Sequence, residues 1–164
     1  MRDVLVLVDV QRNMIRPPTP VPSAPAVEAA VVDLLTRARI AGVPVVHVRN
    51  NGGTGDPDET GTPGWELVHD VVGGEHVVDK TEPDAFAGTL LADLIPSGSR
   101  VVIAGMQSEY CVRETALSAL RRGHEVVLAA HATYDDDTDA TTIARRVERE
   151  LAAAGVSVGG EIAF

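Results

Sequence analysis

Three residues able to break a bond by covalent attack, Asp9, Lys80 and Cys111, each follow closely on a short apolar run of the chain. A carboxylate can take a thiol proton, an ammonium can hold the thiolate so formed, and the thiolate can attack a carbonyl. Taken singly, each residue has an ordinary explanation. An Asp after a strand often caps a loop, a Lys there is usually solvated, and a lone Cys usually packs as a small hydrophobe. Their shared position reverses that order. If the three runs are parallel strands, their carboxyl ends face one way and the three side chains can converge on one crevice.

The stretch Val101-Val-Ile-Ala104 has no polar alternation, which is how a strand buried on both faces of a parallel sheet reads. Gly105 ends this run, and a short polar turn delivers Cys111, the only cysteine, to the start of a helix. Val112, Ala116, Ala119 and Leu120 then recur at helical spacing and form one buried stripe. Unpaired N–H groups and the positive end of the dipole lie at a helix start, so the thiol is expected to have a lowered pKa and fast alkylation. Substituting any of the three reactive residues is expected to reduce catalysis steeply with little change in folding.

The remaining elements follow from the same patterns. Val4 to Val8 is a buried strand, and residues 10–24, with four prolines, form a long loop over the strand ends. Ser23 is placed to cap a helix carrying Val27, Val31, Leu34, Ala38 and Ala41, closed by Gly42. Val43 to Val48 is the second strand, and the Gly- and Pro-rich segment 50–64 is expected to be a lid or binding loop. His76 to Asp79 is a third strand with Lys80 at its end, and Asp84 to Leu94 reads as a helix stopped by Pro96. Glu125 to Ala129 is a further strand. The acidic run Asp135 to Asp139 leads into a helix with Ile143, Val147, Leu151 and Ala154, closed by Gly155, and Val156 to Val158 is a last short strand. Alternating strands and helices predict a single α/β domain over residues 1–164, with a doubly wound, mainly parallel six-stranded sheet and helices on both faces.

The chain has 164 residues, enough for a sizeable core, and 45% of them are hydrophobic. A net charge of -10 and only 3% aromatic residues argue against nucleic acid or an anionic membrane as partner. No stretch reads as a membrane span or signal peptide, and one cysteine cannot form an internal disulfide, so a reducing cytoplasm is expected. None of the five histidines has metal-ligand spacing with another, and Gly105 belongs to no nucleotide-binding glycine motif. No cofactor is implied. Gln11, Asn50, Trp65, Phe86 and Tyr110 are the candidate substrate-binding residues.

Over nearly its full length the chain resembles the isochorismatase-like cysteine hydrolases, which include nicotinamidases and N-carbamoylsarcosine amidase. The resemblance rests on Leu7-Val-Asp-Val-Gln-Arg-Asn13, on Asp79-Lys80 followed by Asp84-Ala-Phe-Ala-Gly-Thr89, and on Ala104-Gly-Met-Gln-Ser-Glu-Tyr-Cys-Val-Arg113. Further landmarks are Gly61-Thr-Pro-Gly-Trp-Glu66 and Ala130-His-Ala-Thr-Tyr-Asp135. The resemblance implies Asp9 as general base and acid, Lys80 as activating cation and Cys111 as nucleophile. It also implies a cis Met106–Gln107 peptide and an oxyanion hole made by the backbone N–H groups of Gln107 and Cys111. A small-molecule substrate and a homo-oligomer, dimer or tetramer, are further implications. The chain departs from the family pattern at Ala129, where relatives often have Asp, and at Ala132, where they often have Ser. Nicotinamidase-like members place a metal with an Asp-x-His pair after the second strand. Here that region reads His47-Val-Arg-Asn-Asn51, so no catalytic metal is expected and nicotinamide is disfavoured.

The leading expectation is hydrolysis of a C–N bond in a small amide, lactam or carbamoyl compound through a thioester on Cys111. The alternatives are isochorismate-type vinyl-ether hydrolysis on the same fold, which needs no nucleophilic sulfur, and a non-catalytic binding module. A phosphoacceptor receiver domain would need a second acidic residue beside Asp9, and there is none.

Overall fold

A computed structural model describes residues 1–134 and 139–164. The acidic stretch 135–138, read from sequence as a solvated helix start, therefore lies outside the described residues. Along the chain run β1 (Asp3–Val8), α1 (Arg12–Ile15), α2 (Ala24–Ala41), β2 (Val45–Asn50), β3 (His76–Lys80), α3 (Leu91–Leu94) and β4 (Arg100–Met106). They are followed by a π-helical turn at Ser108–Val112, α4 (Arg113–Arg121), β5 (Glu125–Ala132), α5 (Ala140–Ala154) and β6 (Ser157–Val158). The six strands form one sheet in the order β3-β2-β1-β4-β5-β6, with every pairing parallel.

The alternation of strand side chains divides the core in two. Val4, Val6, Val8, Val101 and Ile103 face α3, α4 and α5, packing on Leu91, Val112, Ala116, Val147 and Leu151. Leu5, Leu7, Val102 and Ala104 face α2 and meet Val27, Val31, Leu34 and Ala38. Strands with helices on both faces have no solvent side, which is why β1 and β4 are apolar at nearly every position. Strand order reverses between β1 and β4, and the crevice beyond the carboxyl ends at such a point is where ligands bind in open α/β sheets. No helix of the described residues is long and apolar enough to cross a membrane.

Several boundaries differ from the sequence reading. The helix expected over Asp84–Leu94 reduces to Leu91–Leu94. Asp84 accepts a hydrogen bond from the Phe86 N–H, Thr89 donates to the Ala85 carbonyl, the Ala85 N–H goes to the Thr115 hydroxyl, and Gly88 has φ 67°. Side chains thus take the backbone groups a helix would pair. Ser23 precedes α2 without a side-chain cap, whereas Gly42 closes that helix at φ 69° as expected. Ala41 and Ala154, counted on buried stripes, are exposed. Val43 belongs to the end of α2 through its N–H to the Ala38 carbonyl, so β2 starts at Val45. A four-residue helix, α1, interrupts the segment read as a continuous loop.

Gly105 does not end its strand, which continues to Met106. Its φ is 135°, and a Cβ there would lie 1.9 Å from the Val8 carbonyl oxygen. Only glycine lets β4 approach β1 this closely at the carboxyl edge of the sheet. Gly105→Ala should destabilise the fold by about 3 kcal/mol, combining backbone strain with overpacking. Chemical denaturation should show the midpoint falling with an unchanged slope.

Candidate active site

Asp9 is the first residue beyond β1 and adopts φ 52°, a left-handed conformation that Asp tolerates better than most residues. Its N–H donates to the Val48 carbonyl at 2.9 Å, which ties it to the neighbouring strand. Lys80 is the last residue of β3 and is only 2% exposed. From there its Nζ reaches three groups: Asp9 Oδ2 at 3.1 Å, Cys111 Sγ at 3.3 Å and Asn50 Oδ1 at 3.0 Å. Cys111 sits in the π-helical turn after β4 and is half-buried. Three strands thus deliver a carboxylate, an ammonium and a thiol to one point at the carboxyl edge of the sheet.

The electrostatics differ from the expectation of an acidic thiol. Burial, and then the Asp9 carboxylate, push the Cys111 thiol up to about 12, and Lys80 only partly opposes them. Burial also raises Asp9 above the usual carboxylate range, although Lys80 and Cys111 both favour its ionised form. The helix-start argument fails because the sulfur is withdrawn from water and faces a like charge. The resting sulfur is therefore a thiol, and the nearby carboxylate is a stronger base than a solvated one. One oxygen of that carboxylate, Oδ1, is buried with no partner among the described residues.

Asp9 and Cys111 open into a cleft of about 910 Å³, whereas Lys80, with its side chain 0% exposed, does not line it. Asn50, Gln107 and Tyr110 line it, and Tyr110 is 56% exposed at its mouth. The Met106–Gln107 peptide bond is cis. Gln11 is fully buried and does not line the cleft. Its side chain accepts from the Asn50 N–H at 2.9 Å and donates to the Asn50 and Trp65 carbonyls, so it fixes the residue that holds Lys80. Trp65 likewise lies off the cleft, with Nε1 donating to Asn51 Oδ1 at 2.7 Å and the Arg49 guanidinium 3.6 Å from its ring centre. Phe86 is a core residue at 4% exposure, packed under Arg122.

Among the lining residues not named as candidates from sequence are Asn13, Asp58, Glu109 and Tyr134. Asp58 belongs to the 50–64 segment, which folds back so that its Oδ2 accepts from Asn50 Nδ2 at 2.6 Å and its carbonyl accepts from the Gly52 N–H. Tyr134 reaches across the cleft to donate to the Asn13 and Thr19 carbonyls. Such contacts depend on how loops fold over the strand ends. Their sequence signals are that Asn13, Glu109 and Tyr134 fall within the landmark stretches 7–13, 104–113 and 130–135, whereas Asp58 has none.

No group of His, Cys, Asp and Glu among the described residues is arranged to hold a metal ion. His47, the nearest in sequence to where relatives place ligands, is buried in β2 and bonds Glu75 at 2.8 Å. Burial holds that histidine below its usual pKa despite Glu75. These residues do not fit a metal.

Comparison with known proteins adds to this geometry. The Isochorismatase domain matches residues 3–155. A streptothricin hydrolase of Streptomyces noursei is 48% identical over 137 residues, covering 80% of this chain and 54% of the relative. The chain spans about half the length of the first curated relatives it matches, 54% and 50%. Pyrazinamidase of Pyrococcus horikoshii, solved in complex with zinc, superposes with a TM-score of 0.83 at 26% identity over 100% of both chains. N-carbamoylsarcosine amidase from Thermoplasma acidophilum superposes with a TM-score of 0.77 at 26% identity over 99% of both. By the extent of the domain match and the shared architecture, this chain belongs to the isochorismatase domain family, a family of hydrolases.

Proposed function

We propose that the chain is a cofactor-independent cysteine hydrolase that cleaves a C–N bond of a small amide, lactam or carbamoyl compound through a thioester on Cys111. The observation that carries this reading is the placement of Lys80 Nζ, 3.1 Å from the Asp9 carboxylate and 3.3 Å from the sulfur. With the thiol protonated at rest, attack and proton transfer are coupled. Sulfur forms its bond to the substrate carbonyl carbon as its proton passes to Asp9, and Lys80 stabilises negative charge on sulfur during the transfer. The carbonyl electron pair moves onto oxygen, where the N–H groups of Gln107 and Cys111 would receive it. Collapse breaks the C–N bond while Asp9 returns its proton to the leaving nitrogen. Water, deprotonated by Asp9, then cleaves the thioester and releases the acid and the thiol.

The name of the 48% identical relative makes streptothricin the first compound to assay. A panel of streptothricin, nicotinamide, N-carbamoyl amino acids, simple lactams and an isochorismate-type vinyl ether should include at least one amide, carbamoyl compound or lactam whose C–N bond is cleaved, with Cys111→Ser inactive on it. A panel on which only vinyl ethers are consumed, equally by Cys111→Ser, would overturn the reading.

A further inference from the structure

Beside the reactive cluster, a second chain of polar groups runs away from the cleft. Ser108 opens the π-helical turn and has no exposed surface. Its Oγ lies 2.7 Å from His131 Nδ1, and His131 Nε2 lies 2.9 Å from Glu148 Oε1. His131 stands in β5 directly beside Gly105 of β4, and its side chain is 5% exposed. Glu148 is on α5, with its side chain 38% exposed. The same stretch of β5 and the residues after it also hold the neighbours of Ser108. Thr133 Oγ1 donates to Glu109 Oε1 at 2.5 Å, and the Gln107 side-chain oxygen receives the Tyr134 N–H at 3.5 Å. Residues 107, 108 and 109 are thus each tied to one of residues 131, 133 and 134.

We propose that Ser108, His131 and Glu148 are positioning residues that clamp the turn carrying Gln107 and Cys111, a role that rests on the reading of those two N–H groups as oxyanion donors. The proton arrangement follows from the partners. The Glu148 carboxylate accepts, so a hydrogen sits on Nε2, and Nδ1 meets the Ser108 hydroxyl, which can donate to it or accept from it. Both the ring and the hydroxyl are committed, and rotation of Ser108 would cost a hydrogen bond in a site closed to water. The set has the composition of a serine-hydrolase triad, but Ser108 is sealed from the cleft and points into the ring. It orients rather than attacks. Oxyanion donors act through position at the level of fractions of an ångström, so loosening this turn should reduce transition-state stabilisation and leave ground-state binding alone.

The test uses the full chain and a substrate from the panel above. Ser108→Ala and His131→Ala should lower kcat about tenfold with KM within about twofold. His131→Asn should restore most of the loss, because its side-chain oxygen can accept from Ser108 near the place of Nδ1. Glu148→Ala, at a partly exposed helix position that should not disturb folding, should lower kcat about threefold. Nitrogen-15 spectra of the native chain should show hydrogen on His131 Nε2, and Glu148→Ala should lose that preference. Native kcat in His131→Ala, or an Nε2 without hydrogen in the native ring, overturns the proposal. If the native chain turns over no amide, the functional reading falls. Amide exchange across residues 107–112 then decides the clamp alone: faster exchange in His131→Ala supports it, and unchanged exchange overturns it.

Discussion

Cys111→Ala should lower kcat on the assigned substrate by at least about 10⁴-fold while the protein keeps its fold. Removing a nucleophile deletes the covalent path, and what remains is binding and whatever stabilisation the oxyanion donors give an attacking water. The side chain is half-buried and contributes little to the core, so thermal stability should change by under about 1 kcal/mol. Steady-state kinetics with a thermal melt of the same preparation make the measurement. Turnover within about tenfold of native would show that the sulfur is dispensable and would favour acid-catalysed vinyl-ether chemistry on this fold.

Asp9→Asn should separate reactivity from catalysis. The Asp9 carboxylate is, after burial, the main influence holding the thiol near 12. Without it Lys80 acts unopposed by a like charge, the thiol becomes more acidic, and alkylation by iodoacetamide at pH 8 should speed up by about tenfold. Turnover should nevertheless fall by about 10³-fold, because the base that takes the thiol proton and returns it to the leaving nitrogen is gone. In the native chain the alkylation rate should climb about tenfold per pH unit from 7 to 10 without levelling, as a thiol near 12 requires. A plateau below pH 9, or slower alkylation in Asp9→Asn, would contradict this electrostatic account. Lys80→Ala is a poorer probe. It removes a long buried side chain as well as breaking, as Asp9→Asn also does, an ion pair whose side chains are 0% and 1% exposed, and leaving one charge buried without its partner typically costs about 3–5 kcal/mol. The expectation that substitution spares folding is therefore kept for Cys111 alone, and both Asp9→Asn and Lys80→Ala should lower the melting temperature.

The convergence of Asp9, Lys80 and Cys111 was legible because each is fixed by its strand. A run of unalternating apolar residues marks a strand covered on both faces, and whatever follows it must emerge at the sheet edge. What sequence could not convey was depth. Nothing in the order of residues says that Lys80 lies buried while Arg49, one residue before its β2 partner Asn50, stacks on Trp65 with its side chain partly exposed. The acidity of Cys111 was misjudged for that reason. A helix start was visible, whereas the desolvation that outweighs it is a property of the assembled core. The pocket walls show the same division. Tyr110 is next to Cys111 in sequence and does line the cleft. Phe86 was a guess from its aromatic side chain and belongs to the core, and Asp58 arrives through a loop with no repeating pattern.

The central claim is a covalent thioester on Cys111, and acid quenching during turnover tests it most directly. The native chain should be mixed with its assigned substrate, stopped within one turnover, digested and weighed by mass spectrometry. The account predicts that the peptide bearing Cys111 gains the mass of the acyl portion of the substrate, that hydroxylamine removes this mass, and that Asp9→Asn, which should be slow to release the acid, retains any adduct longer. Product formation at the native rate with Cys111 unmodified at every quench time, or an acyl group carried on another residue, would contradict it.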